Sequence, residues 1–462
     1  MKARRKILFQ NLSYAFLAQG MALLLQAIVS LILPSIFEVK AFSFWQLFIF
    51  FTSYGGFLHL GLNDGIYLRF GGQSYDELDH KLLGTQLKIS ILIQLSVGGL
   101  IILTSLFSMT DNNRIFVLIM ALLYSVISNI SMFLGLVFQA TNQIKTFSKS
   151  KAIYTTFLIL TISMTLIFRI SSFYLLICLY ILARLLMLTY LACKGKELIF
   201  TRMHRLKYII DDMNINIRIG FNLMMAFTTG TFILGVGRLL IDTHWGIEIF
   251  GQVSFALLLT KLFLVFINQV GFVIFPVLRR AKESEQRTFY LKARQFLALV
   301  LPLGLLSYLP LQLFIQTWMP AYEASLKFTI FFLPLCLFEG KMQMLSNTYF
   351  KILRKEKVLL KINIICVILS GMLSLIGIYV FNCIIVVVIL MTFSLVVRYV
   401  LSEIYFSKQL QISTYRHLCL EISLAIAFAL LTWYLPVIDA MISFLVLYSI
   451  YFILSRKITI EK

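Results

Sequence analysis

The feature that most narrows what this chain can fold into is a recurrence of apolar stretches, each about 20 residues long and separated by short polar segments. A stretch of that length crosses the hydrocarbon core of a bilayer as one helix, because in lipid every backbone N–H and C=O must find its partner inside the segment. Fourteen such stretches are read at roughly 9–36, 42–63, 82–107, 114–138, 152–170, 173–193, 219–241, 249–275, 293–316, 326–348, 359–380, 383–404, 417–435 and 438–455. Of the 462 residues 60% are hydrophobic and 13% charged, too apolar for soluble domains of this length. The expected fold class is therefore all-α, a polytopic membrane protein with about 14 transmembrane helices.

The formal charge of +21 does not indicate nucleic acid, because the basic residues lie between apolar spans instead of on one face of a soluble module. They obey the positive-inside rule. With a cytoplasmic N-terminus, most Lys and Arg fall on the cytoplasmic side, including Lys194, Lys196, Arg202, Arg205, Lys207, Arg279, Arg280 and Lys282, against Lys40, Arg114, Arg169 and Lys327 outside. An even number of spans then returns the C-terminus to the cytoplasm. Trp45, Trp245, Trp318 and Trp433 all fall at outer helix ends, where indole rings favour the interface. The basic start at Met1–Lys6 precedes an apolar run too long for a cleaved signal, so it is read as a retained first helix.

The longest connection divides the chain into an N-lobe at 1–193, a cytoplasmic loop at 194–218, a C-lobe at 219–404 and two further helices at 405–462. The two halves echo each other: Asn11 and Phe42–Trp45 parallel Asn222 and Phe250–Ser254, and repeated six-helix halves are a mark of transporters.

Nucleotide-binding and metal-protease motifs are absent, and the histidines and six cysteines are too scattered for a metal or disulfide framework, so no cofactor and no metal is expected. Six glycines between Gly55 and Gly72, with His59, Asp64 and Arg69 among them, predict close backbone packing or a bend where the second helix ends.

Charges in mid-span are the candidates for function. Arg184, Lys261, Glu339 and Lys341 sit near the centres of their helices, where each charge costs about 2.5–3.5 kcal/mol unless it faces water, a partner or a substrate. Ser254, Lys261 and Asn268 recur every seven residues and form one polar stripe. Gln19 and Gln26 do the same on the first helix. These stripes predict a polar cavity lined by Lys261, Arg184, Asn268, Gln19 and Gln26, with Arg69 a relay at its cytoplasmic mouth. Glu339 and Lys341, two residues apart, point to different faces, so Glu339 is expected to meet a cation from another helix. Arg238 and Arg398 rank lower, being read as close to helix ends. Pro334 is expected to kink the tenth helix and, with Asp64, to take part in gating; Pro302 and Pro310 have the same effect on the ninth. Ion coupling falls to Glu339, or to His59, whose ordinary pKa lies near neutrality.

The stretch Gly61–Gly72, the segment Asp242–Ser254 and the run Trp318–Tyr322 together resemble the polysaccharide and oligosaccharide flippases of the multidrug/oligosaccharidyl-lipid/polysaccharide exporter superfamily. The resemblance covers about residues 5 to 455. It implies two six-helix lobes in a V around a central cavity, a C-terminal helical hairpin, alternating access and no bond chemistry. It implies as substrate an oligosaccharide linked through diphosphate to a polyprenol, in the cytoplasmic membrane of a bacterium, with membrane lipid, polysaccharide polymerase and glycosyltransferases as partners. Cations in a low-dielectric cleft suit a diphosphate. Three other readings stand beside it: a flippase for lipid-linked peptidoglycan precursors, a multidrug or cation exporter, and a membrane polysaccharide polymerase or ligase.

Overall fold

The computed structural model of the protein describes residues 20–108, 110–201, 206–278, 283–412 and 415–460. Asn11 and Gln19 lie outside them, and the side chain of Asn268 is likewise outside the description. Among the described residues every regular element is a helix. Twelve helices are long and apolar enough to cross a membrane, and a bent pair makes a thirteenth. Gly20–Ile36, a shorter apolar helix, falls in the first expected stretch.

Each stretch read from the sequence thus contains a helix. They are α1 Gly20–Ile36, α2 Val39–His59, α3 His80–Ser108, α4 Asn112–Ala140, α5 Ile144–Ile167 and α6 Phe173–Lys194. After them come α7 Leu206–Trp245 and α8 Ile247–Leu278. The remaining helices are α9 Glu285–Trp318, α10 Ser325–Phe332 with Leu335–Ile352, α11 Glu356–Tyr379, α12 Ile384–Gln409, α13 Tyr415–Tyr434 and α14 Val437–Ile460. The chain is a multi-pass membrane protein.

By packing it divides into two compact units, Met1–Thr228 and Thr229–Lys462. The boundary falls inside α7, a single helix of 40 residues. The segment 194–218 is accordingly not a loop throughout: Lys196–Ile199 forms a helical turn and α7 starts at Leu206. Hydropathy reads only the apolar part of a helix, whereas backbone hydrogen bonding runs on through polar residues whose side chains find partners of their own. Helices α13 and α14 belong to the second unit.

Two prolines break the second unit's helices where the sequence places them. At Pro334, α10 bends by 46°. After the bend a π-helical turn, Met342–Ser346, widens the same span. At Pro302, α9 passes through a 3-10 stretch, Leu301–Ser307. Proline has no N–H, so the carbonyl four residues back is orphaned. Tyr451 of α14 donates its hydroxyl to that carbonyl, on Ala298, at 2.9 Å, and Tyr448 donates to Leu299 at 2.8 Å.

Tryptophan placement needs one correction. Trp318 and Trp433 are exposed, but Trp45 is fully buried, its ring 4.4 Å from that of Tyr180 and 5.5 Å from that of Phe48. It lies in the second turn of α2 and faces the first unit's core, so it is not an interfacial anchor.

Candidate functional site

In the first unit the glycine-rich stretch makes a backbone contact. The 3-10 turn Gly55–His59 ends at Leu60 and Gly61, both with positive φ, and a short helix Leu62–Arg69 follows. Gly61 and Gly65, four apart, lie against Gly220 of α7: a methyl on Gly65 would overlap the carbonyl of Asn216, and one on Gly220 would overlap that of Gly61. Close packing and a bend are both present.

Arg69 closes this contact. Its Nη2 lies 2.7 Å from Asp212 Oδ1, and its Nη1 donates to Asn216 Oδ1 at 3.0 Å. Gln86 of α3 donates to Asp212 Oδ2 at 2.7 Å and accepts from Asn216 at 2.9 Å. Arg69 is therefore neutralised by a carboxylate, which weakens its reading as a relay for substrate and makes it a fastener of α3, α7 and the short helix. His59 accepts from the Gly61 N–H at 3.1 Å, and its Nε2 lies 4.0 Å from Asp64. Burial pushes the Asp64 carboxyl, beyond the end of α2, up to about 6, against the pull of a backbone hydrogen bond. Gln26 donates to Ser30 at 3.2 Å on its own helix.

Arg184 sits between α4, α5 and α6 of the first unit. Its Nε and Nη2 both donate to Ser128 Oγ, at 3.2 and 2.6 Å. The guanidinium lies 5.0 Å from the ring centre of Tyr154 and 5.6 Å from that of Tyr124, within cation–π range. No carboxylate among the described residues is within ion-pair distance of it. Lys151 of α5, exposed and 4.4 Å from the Phe147 ring centre, is near enough to feel its charge. The sequence pointed to Arg184 but not to Lys151, which passes for an ordinary positive-inside charge near a helix start.

The second unit has a counterpart. Arg238 of α7 donates from Nε and Nη2 to Ser254 Oγ of α8, again at 3.2 and 2.6 Å, over the Phe250 ring at 4.9 Å. Lys261, two helical turns on from Ser254, is accessible, and the charges of Arg238 and Glu339 both act on it. Glu339 accepts from Gln343 at 3.0 Å and faces Arg398 at 3.3 Å, as expected of a carboxylate that meets a cation from another helix. Arg398 also donates to Asn363 at 2.8 Å. It lies mid-way along α12, not at its end.

Lys341 is resolved differently. It is 1% exposed and ion-paired to Glu421 of α13 at 2.5 Å, beside a second buried pair of Arg294 and Glu403. Tyr290 donates to Glu403 at 2.8 Å. Neither Glu421 nor Glu403 stood out in the sequence, since each lies one residue type among many near a span's polar end. Among the described residues no group of His, Cys, Asp and Glu is arranged to hold a metal ion.

No family model matches the sequence, and no curated protein is similar to it. Solved structures match its backbone. The lipid II flippase MurJ in an inward closed conformation superposes with a TM-score of 0.63 at 12% identity over 98% of both chains. An inward-facing multidrug-resistance MATE-family transporter gives 0.60 at 12% identity, over 85% of this chain and 94% of that one. The fold is that of the MOP-superfamily transporters. A MOP-superfamily transporter from Pyrococcus furiosus, described by the reversed polarity of its binding pocket, gives 0.50 at 12% identity, over 87% of this chain and 95% of that one.

Proposed function

We propose that this protein is a flippase that moves oligosaccharides linked through diphosphate to polyprenol across the bacterial cytoplasmic membrane, by alternating access and without bond chemistry. The observation that carries the reading is Lys261: an exposed lysine within an apolar span, with no carboxylate in ion-pair reach among the described residues. A cation held so costs free energy when nothing answers it, and a diphosphate answers it with several charged oxygens. Arg238 beside it adds to the positive field. Arg184 extends the same chemistry to the first unit. In this reading both termini are cytoplasmic, the product feeds surface-polysaccharide assembly by a polymerase, and glycosyltransferases supply the substrate.

A peptidoglycan-precursor flippase is the second reading, favoured by the MurJ likeness over 98% of both chains. A cation exporter is less well served, because Glu339 is already engaged by Arg398 and Gln343. The test is a proteoliposome assay with fluorescent polyprenyl-diphosphate oligosaccharides, in which dithionite or a lectin reads translocation. The protein should translocate them, and Lys261→Ala should reduce the rate to that of empty liposomes while still reconstituting. Wild-type rates from Lys261→Ala overturn the assignment; transfer of the glycan to an acceptor would make the protein an enzyme.

A further inference from the structure

The group around Arg184 carries more than a second positive charge. Arg184 spends its Nε and one N–H of Nη2 on Ser128 and one of Nη1 on the Met187 sulfur, which leaves two of its five N–H groups without an acceptor among the described residues. Lys151 makes no hydrogen bond among the described residues, so its three donors are free. The two cations repel each other, and no described carboxylate is within ion-pair distance of either. Next to them the hydroxyls of Tyr124 and Tyr154 lie 3.1 Å apart. One phenol donates to the other, so the pair still offers one O–H donor and open acceptor lone pairs. Arg184, Ser128, Tyr124 and Tyr154 are all partly buried, whereas Lys151 is exposed. At 1.5 Å per residue, Lys151 and Arg184 lie roughly 10–15 Å inside the ends of α5 and α6 marked by Ile144 and Lys194.

We propose that Arg184, Lys151 and the Tyr124–Tyr154 pair, all within the first unit, form a binding site for a sugar phosphate. The two cations take the phosphoryl oxygens, since an arginine fork and a free ammonium together match a tetrahedral dianion. The phenol pair, both donor and acceptor, takes hydroxyls of the attached sugar, which are themselves both donor and acceptor. A bare anion would use only the cations, and a neutral glycan only the phenols. The site rests on the flippase reading for its role, where it is a station for the head group within the first unit, but its chemistry stands in this unit alone.

The experiment is equilibrium binding to the purified full-length protein, read by 31P line broadening and by saturation transfer to sugar protons. The probes are glucose 1-phosphate, inorganic phosphate, glycerol 3-phosphate and methyl glucoside. Glucose 1-phosphate should bind at least tenfold tighter than the other three. Lys151→Gln, at an exposed position where folding is safe, should weaken it at least tenfold. Tyr154→Phe, which keeps the ring, should bring glucose 1-phosphate down toward inorganic phosphate without weakening phosphate itself. Equal binding of glucose 1-phosphate and either phosphate or glycerol 3-phosphate overturns the sugar assignment, and insensitivity to Lys151→Gln overturns the site. Competition by a lipid-linked sugar diphosphate in nanodiscs then separates the sources: displacement makes the lipid head the occupant, and its failure makes the occupant a soluble sugar phosphate. Absence of binding with normal flipping sinks this site alone; binding without flipping sinks only the transport reading.

Discussion

The two units repeat one motif and surround it with opposite electrostatics. In each, an arginine grips a serine hydroxyl through Nε and Nη2 over an aromatic ring, with a lysine close by: Arg184, Ser128 and Lys151 in the first, Arg238, Ser254 and Lys261 in the second. The first unit sets no described carboxylate against its pair. The second supplies Glu339 near Lys261, and around it a buried lattice of Arg398, Lys341, Glu421, Arg294 and Glu403. An uncompensated pair favours holding an anion, whereas a pair with a competing carboxylate favours exchanging one. Charge in the second unit also fastens helices together, and in the first unit that work falls to the Arg69–Asp212 network and to glycine contacts.

The largest test of this contrast is stability. Glu421→Leu strands Lys341 in apolar surroundings and should cost about 3–5 kcal/mol, while Lys341→Met combined with Glu421→Leu should recover most of it. Lys151→Gln in the first unit should leave the melting midpoint unchanged or raise it, because a like-charge repulsion disappears. Equal losses from Glu421→Leu and Lys151→Gln would erase the distinction between the units.

A smaller effect sharpens the role of Glu339. Glu339→Gln removes the charge that competes for Lys261, so inorganic diphosphate should bind the purified protein more tightly by up to about tenfold, or ~1.4 kcal/mol. Turnover in proteoliposomes should fall at the same time, through slower release. Unchanged affinity and turnover would reduce Glu339 to a partner of Arg398, and a proton or sodium dependence that survives the change would remove it from coupling.

The smallest concerns Asp64, with His59 as the titratable group facing it. Its folded carboxyl titrates at about 6, above its ordinary 3.8. Between these values the folded state binds more protons than the unfolded one, so stability falls as pH rises from about 4 to 6 and stays low above. With its partial exposure the loss should be on the order of 1–2 kcal/mol. Asp64→Asn should flatten the melting midpoint across that window; an unaltered slope would assign the effect elsewhere.

What the sequence made legible follows from the range of the forces involved. Span positions, the bend at Pro334 and the tight packing of the Gly55–Gly72 stretch are local consequences of hydropathy and backbone stereochemistry, and they read directly. Lys341 and Lys261 look alike in sequence, both single cations in mid-span, yet one pairs with Glu421 80 residues later, and the other has no carboxylate within ion-pair distance among the described residues. Arg69 likewise looked free until Asp212, 143 residues on, lay against it. Lys151 hid for the converse reason: its place near a helix start gave it an ordinary explanation, and only Arg184 across the helix interface makes it unusual. The polar onset of α7 was missed because hydropathy sees the lipid-facing part of a helix and not its full length.

The tyrosines of α14 that complete α9 have a consequence for biosynthesis. Ala298 and Leu299 emerge from the ribosome with carbonyls that the helix itself cannot satisfy, and the hydroxyls that will satisfy them follow 153 and 149 residues later. At about 5–20 residues per second that is an interval of roughly 7–30 s. During that time α9 is in the bilayer with its break unsealed, and water or a neighbouring chain must stand in for α14. A helix made late thus finishes one made long before it, and a ribosome that stalls before residue 448 leaves a chain with a fault in the middle of α9.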